Sequence, residues 1–277
     1  MIYVLGGRGR LGQAIAAAYA PNEVTLPERS VYEAWWPPGA EQDVRRFFAS
    51  APSGSIVLVA AGVLDPVLSE SEHQRVNVDL PLRVIDGACS AGLRVVTVGT
   101  VMERLASHSN RYVAAKVKLA QAVAQRAASG LPVVHAQVHT LYGGGAPSPH
   151  MFLGQMLAAL KSGQSFEMSP GQQLREYHHV DDDVAAMRTL FATPLTGVLA
   201  LSHGEPCTLR DLASYVFEEL GAMHLLRLGA RPEPPDDNFA TVLPRPAFLS
   251  HVEFRPALPG VALYMKNLLT NAIIAHD

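Results

Sequence analysis

The stretch Ile2-Tyr3-Val4-Leu5-Gly6-Gly7-Arg8-Gly9-Arg10-Leu11-Gly12 carries most of the fold information in this chain. Four apolar residues make a short strand. Gly6, Gly9 and Gly12 follow at three-residue spacing, and helix formers run on from Arg10 to Ala20. In such a strand–turn–helix, a tight turn, close backbone approach to a pyrophosphate and close helix–strand packing each exclude a side chain. The amino terminus of the helix then faces an anion. Gly6, Arg8, Gly9, Arg10, Leu11 and Gly12 are therefore the first candidate residues for holding a dinucleotide. The alternative is a glycine-rich turn that holds nothing.

Outward from this loop the pattern alternates. Strand-like runs are expected at Glu23–Leu26, Ile56–Ala60, Arg94–Val98 and Pro132–Val138. Helical periodicity covers His73–Ala91, where Pro81 is expected to kink or split the helix, and Tyr112–Ser129, which stops at Gly130. Strands alternating with helices predict an α/β fold with a doubly wound parallel sheet covered on both faces. The pattern changes in the loop Tyr142-Gly143-Gly144-Gly145-Ala146-Pro147. Further helices are expected at Phe152–Lys161, Asp181–Phe191 and Thr208–Leu220, with a strand at Val198–Leu201. The expected division is a nucleotide-binding domain of residues 1–143, also receiving about 178–202, and a smaller lobe of residues 144–177 and 203–277.

Composition limits the function classes. The 277 residues are 48% apolar and 17% charged, enough for a substantial core, and the formal charge of −3 argues against nucleic acid as a partner. Cys89 and Cys207 are far apart and lack metal-ligand spacing, so two ordinary thiols in a reducing compartment are expected. The amino terminus reads as a strand rather than a targeting signal, and the apolar run Ile56–Leu64 is too short to span a membrane. The expected location is the cytoplasm.

Two constellations carry chemistry. Tyr112-Val113-Ala114-Ala115-Lys116 places a phenol and an ammonium on one helix face. A phenol exchanges protons poorly near neutral pH, and a neighbouring ammonium stabilises the phenolate. Tyr112 is thus the candidate proton donor. Lys116 is its tuner and a cofactor-ribose ligand. Thr100, ending Val96-Thr97-Val98-Gly99-Thr100, offers a hydroxyl at the carboxyl edge of the sheet, where ligands bind in such folds. At the adenosine end, Glu28 suits a ribose 2′-hydroxyl, whereas Arg8 and Arg29 suit a 2′-phosphate. The two arginines favour NADP, with NAD as the alternative.

The glycine loop, Ala60-Ala61-Gly62, Asn77, Thr100, Tyr112 and Lys116, Leu141-Tyr142-Gly143, and the run from Arg175 to Asp182 together resemble the extended short-chain dehydrogenases that act on nucleotide sugars. The resemblance covers most of the chain and weakens beyond about residue 220. It implies a Rossmann-type fold with a C-terminal substrate-binding lobe, and adds Ala60, Ala61 and Gly62 to the cofactor set. It also implies substrate contacts from Thr100, Met102 and Arg175, the last holding a diphosphate. Gly99-Thr100-Val101-Met102-Glu103, a few residues before Tyr112, and Ser169-Pro170-Gly171-Gln172-Gln173-Leu174-Arg175 are similar to the 4-ketoreductases that make CDP-linked 3,6-dideoxyhexoses. The 4,6-dehydratases of this superfamily place Asp-Glu after the catalytic threonine, where this chain has Val101 and Met102. GDP-fucose synthases use a Cys–His pair that has no counterpart here.

The expected activity is therefore NAD(P)H-dependent reduction of the C4 ketone of a nucleotide-linked 4-keto-6-deoxy sugar. A 4-epimerase with tightly held NAD is the alternative, and a dinucleotide-sensing binding protein is the alternative of another class. In similar enzymes helices matching His73–Ala91 and Tyr112–Ser129 form a four-helix homodimer interface. No metal is expected: His178 and His179 are adjacent on a strand and point to opposite faces. Asp181 and Asp182 are expected to cap a helix.

Overall fold

A computed structural model describes residues 1–105 and 110–274. The chain divides into two compact units, residues 1–138 with 184–201, and residues 139–183 with 202–277. The first crossing lies at Val138, where a buried strand ends, rather than at the later glycine loop.

In the first unit β1 (Ile2–Leu5), α1 (Arg10–Ala17), β2 (Val24–Thr25), α2 (Arg29–Glu33), α3 (Glu41–Phe48) and β3 (Ile56–Val59) are followed by a long, interrupted helical stretch. That stretch is α4 (Glu70–Gln74), a π-helical turn (Arg75–Asp79) and α5 (Leu80–Ser90). Ser69 and Glu72 close a capping box at its start. Pro81 sits in the first turn of α5, where it cannot donate to the preceding turn, and the helix widens just before it. Then come β4 (Arg94–Thr100), α6 (Met102–Leu105), α7 (Arg111–Ala128) and β5 (Val133–Val138).

The second unit opens with β6 (Thr140–Tyr142), α8 (Phe152–Ser162), β7 (Phe166–Glu167), β8 (Leu174–Arg175) and β9 (Tyr177–His179). The chain returns to the first unit along α9 (Val180–Phe191) and β10 (Gly197–Ala200). It ends in the second with β11 (Cys207–Thr208), α10 (Leu209–Glu219), β12 (Leu226–Arg227) and α11 (Ala257–Ile274).

Among the described residues six strands of the first unit pair in parallel, in the order β10-β5-β4-β3-β1-β2. This is the doubly wound α/β sheet that the alternating pattern predicts. All six residues of β5 are buried, as a central strand covered on both faces requires. The chain runs outward from β1 to β2, then crosses back to β3 on the other side of β1. The strand order thus reverses at the carboxyl ends of β1 and β3, the place where open α/β sheets hold ligands.

The second unit has its own core, in which Tyr142, Met156, Tyr177, Phe217, Val261 and Met265 are buried together. The helix α11 has no counterpart in the sequence reading. Pro259 stands in its first turn, which a helix tolerates. Gly260 passes so close to Tyr142 that a Cβ would lie 2.0 Å from the phenol oxygen. No helix among the described residues is long and apolar enough to cross a membrane.

Candidate active site

The glycine loop leaves β1 and turns back on itself. Gly6 has φ +89°, and the Gly9 N–H donates to the Gly6 carbonyl at 2.9 Å. A Cβ on Gly6 would lie 2.5 Å from the Ala61 nitrogen, and one on Gly12 would lie 2.4 Å from the Gly6 oxygen. Only glycine allows both approaches. Gly9 stands at the N-cap of α1 and has no side chain to cap the helix with, so the positive end of the helix dipole faces the loop. Leu11 is buried beneath the loop, Arg10 begins α1 and Arg8 is exposed.

The Ala60-Ala61-Gly62 segment continues from β3, with the Ala60 N–H donating to the Leu5 carbonyl at 2.9 Å. Asn77 holds the next residue, accepting from the Val63 N–H and donating to its carbonyl, both at 2.9 Å. A Cβ on Gly62 would lie 3.1 Å from Asn77 Oδ1 and 3.8 Å from Lys116 Nζ. Open backbone, glycine approaches and a helix amino terminus are a donor set that fits a dinucleotide pyrophosphate.

Arg29 begins α2 and pairs with Glu33 one turn on. Tyr32 on the same helix is a residue the sequence reading missed. Burial pushes its phenol pKa up, the charges of Arg29 and Arg8 pull it down, and the hydroxyl reaches the Gly6 backbone. The positive charges of both arginines thus act on one phenol beside the glycine loop.

Asn110 fixes where α7 starts, its side-chain oxygen accepting from the N–H groups of Tyr112 at 2.8 Å and Val113 at 3.4 Å. Tyr112 and Lys116 then fall one turn apart, with Lys116 Nζ 5.9 Å from the centre of the Tyr112 ring. Lys116 is buried and donates to the Val98 carbonyl at 2.7 Å. Burial pushes its pKa down to about 8, against the opposing charge of Glu103. Tyr112 is shifted up, by burial first and then by Glu103. Thr100 ends β4, and its hydroxyl accepts from the Met102 N–H at 3.3 Å. Residues 106–109 of the short segment from Thr100 to Tyr112 lie outside the described residues.

Glu103 anchors the end of β4, a role the sequence alone does not reveal. Its buried carboxylate accepts from the Thr100 N–H at 2.7 Å and from Gln137 Nε2 at 2.6 Å, and lies 3.1 Å from His135 Nε2. The other ring nitrogen of His135 is 2.8 Å from the Thr97 hydroxyl. A Cβ on Gly99 would lie 2.0 Å from His135 Nε2 and 2.4 Å from Glu103 Oε1. The glycine in Val98-Gly99-Thr100 is thus the space that this buried network occupies. The available clue is the pair His135 and Gln137, polar residues on one face of a fully buried strand.

In the second unit, both terminal nitrogens of the Arg175 guanidinium are engaged. Nη2 donates to Asp237 at 2.6 and 2.8 Å, and Nη1 to the Leu174 carbonyl at 2.8 Å. Of the adjacent histidines, His178 is fully buried and His179 partly so. Asp181 and Asp182 stand in the first turn of α9, and Asp182 also accepts from the Arg255 N–H at 2.8 Å.

The model of the NAD dependent epimerase/dehydratase family matches residues 2–199. A search of curated proteins finds no match to this sequence. Among solved structures, MoeE5 in complex with UDP-glucose and NAD superposes with a TM-score of 0.76 at 18% identity, covering 98% of this chain and 99% of that one. A UDP-N-acetylglucosamine 4-epimerase from Methanobrevibacter ruminantium M1, bound to UDP-N-acetylmuramic acid, gives 0.76 at 16% identity, covering 99% and 98%. The dTDP-glucose 4,6-dehydratase DesIV from Streptomyces venezuelae gives 0.73 at 19% identity, covering 96% of each chain. At these identities the likeness is one of fold.

Proposed function

Because the chain belongs to the NAD dependent epimerase/dehydratase family, we propose that it is a nicotinamide-dinucleotide-dependent oxidoreductase acting on a nucleotide-linked sugar, and that its reaction is reduction of a ketone at C4 of a 4-keto-6-deoxyhexose. The observation that carries this reading is the pairing of Tyr112 and Lys116 one turn apart on α7, with Lys116 tied to the Val98 carbonyl of β4 two residues before Thr100. The bound dinucleotide would supply the hydride.

Gly6, Gly9 and Gly12 with Ala60, Ala61 and Gly62 would hold its pyrophosphate and backbone, and Lys116 its ribose. The positive charge of Arg8 and Arg29, felt together at Tyr32 beside the glycine loop, supports a 2′-phosphate, hence NADP(H). Thr100 would hydrogen-bond the substrate ketone oxygen while Tyr112 gives that oxygen a proton. Lys116, as an ammonium, favours loss of the Tyr112 proton.

Reduction is preferred to dehydration because elimination of water needs an acid and a base beside the sugar. Val101 and Met102 supply neither. The carboxylate nearest in sequence, Glu103, is turned inward and engaged by Thr100, His135 and Gln137. Arg175 is the proposed ligand of the substrate diphosphate, which must then displace Asp237.

The test is to incubate the protein with 4-keto-6-deoxyhexoses linked to CDP, dTDP or GDP, with NADPH or NADH, and to follow nicotinamide absorbance. Stoichiometric oxidation with a single C4 product is the expected result. Interconversion of C4 epimers of an ordinary nucleotide hexose without net oxidation would make the enzyme a 4-epimerase instead.

A further inference from the structure

We propose that His139, Glu176 and His178 of the second unit form a binding site for a divalent transition-metal ion of the zinc class, apart from the residues of the proposed reaction. The three are 7%, 2% and 1% exposed, and their ligand atoms all lie within 4.8 Å of one another. Glu176 Oε2 is 3.1 Å from His178 Nε2 and 3.5 Å from His139 Nε2. A tetrahedral ion with bonds of about 2.0–2.1 Å sets its ligand atoms about 3.3 Å apart. These donors therefore already stand near the spacing such an ion imposes.

The second observation is an orphaned nitrogen. His139 Nε2 is buried, has no hydrogen-bond partner, and points at the Glu176 carboxylate. Buried polar atoms are nearly always satisfied, and an unmatched one calls for an explanation. An imidazole nitrogen in this position offers a lone pair to a cation. His203 Nε2 is a second buried nitrogen without a partner, 3.7 Å from Glu176 Oε2. It or a water would complete the coordination.

The surroundings hold the donors in place. His178 Nδ1 lies 2.6 Å from Asp183 Oδ1, a carboxylate–imidazole pair of the kind that fixes a metal-binding ring in orientation. Glu176 Oε1 accepts from the Ser202 hydroxyl at 2.6 Å and the Gly204 N–H at 3.2 Å, which fixes the carboxylate plane. Imidazole and carboxylate donors suit zinc and its neighbours rather than calcium or magnesium. His139 precedes β6, Glu176 precedes β9 and His178 lies within β9, with His203 on the loop after β10 beside them. A metal here would staple three stretches separated in sequence. The competing arrangement needs no metal: His178 as an imidazolium held between Asp183 and Glu176.

The test begins with wild-type protein purified without chelator and assayed for bound metals by mass spectrometry. Near-stoichiometric zinc is expected. Chelation should lower the thermal midpoint and added zinc restore it. Cobalt(II) titrated into the stripped protein should give the visible bands of a tetrahedral nitrogen–oxygen site. His139→Gln should weaken cobalt affinity by at least about tenfold, and Asp183→Asn by roughly 10–100-fold. Metal-free protein that shows neither cobalt bands nor a zinc-dependent midpoint would overturn the proposal and leave the buried ion pair. Undiminished metal binding by His139→Gln would overturn it equally, by placing the ion elsewhere.

Discussion

The Thr100 N–H donates to Glu103 Oε1 at 2.7 Å, so the residue expected to hold the substrate oxygen is itself anchored by a buried carboxylate three positions on. The same carboxylate acts on Tyr112 and Lys116, raising the pKa of both against or along with the effect of burial. Its expected influence on the proposed reaction is electrostatic and positional rather than direct.

Glu103→Gln separates these effects. Removing the charge withdraws an upward contribution from both Tyr112 and Lys116, so the alkaline limb of the kcat/KM profile should move to lower pH. The new amide also sets an NH2 group against Gln137 Nε2 or His135, which should cost about 1–3 kcal/mol of stability. An unchanged alkaline limb in a folded variant would mean that Glu103 is only structural.

Gly99→Ala tests the packing of the same network. The added methyl has nowhere to go, because its nearest neighbours are the His135 ring and the Glu103 carboxylate at 2.0 and 2.4 Å. Overpacking of this kind costs about 1–3 kcal/mol. Displacing Glu103 should also release the Thr100 amide, so calorimetry should show a lower midpoint and kinetics a lower kcat. Wild-type values for both would show that β4 yields more easily than its buried position suggests.

How far the sequence reaches is visible in these residues. The glycine loop, β1, β3 to β5 and the start of α7 follow from local rules: apolar runs, glycine spacing, and a phenol and ammonium one turn apart. The doubly wound sheet follows from their alternation. Glu103 and His135 are 32 positions apart, and no local rule joins a charged residue after a strand to a histidine in the next one. The pairing of Arg175 with Asp237 spans 62 positions, and Asp237 lies past a run of prolines without periodicity. The split of the helix before Pro81 was legible, but its π-helical form depends on how the widened turn packs.

The Tyr112 and Lys116 pair predicts a particular split between binding and turnover. Tyr112→Phe keeps the ring and removes only the proton, so reduction should fall by about 10²–10⁴-fold while NADPH titration by fluorescence stays close to wild type. Lys116→Met should damage both, since its Nζ lies beside Gly62 in the cradle. In the wild-type enzyme Lys116 must stay protonated to favour the phenolate, and burial sets its pKa at about 8. Activity should therefore be retained below that pH and fall as pH rises through it. A flat profile up to pH 10 would remove Lys116 from the role of tuner.

Arg175 carries the last prediction, because two readings of it differ in what the same two variants do to KM. The guanidinium is mostly buried and held by both oxygens of Asp237, with side-chain exposures of 16% and 14%. If Arg175 binds the substrate diphosphate, Asp237 competes with the substrate, and Asp237→Asn should free the guanidinium and lower KM. Arg175→Ala should raise KM, with cofactor affinity unchanged in both. If the pair instead holds β8 in place, Asp237→Asn leaves a poorly compensated charge and Arg175→Ala an unpaired carboxylate. Both should then destabilise the protein, with KM unmoved. Measuring KM for the nucleotide sugar and the thermal midpoint on the same two variants decides the matter: opposite KM shifts support a diphosphate ligand, and parallel losses of stability at constant KM support a structural pair.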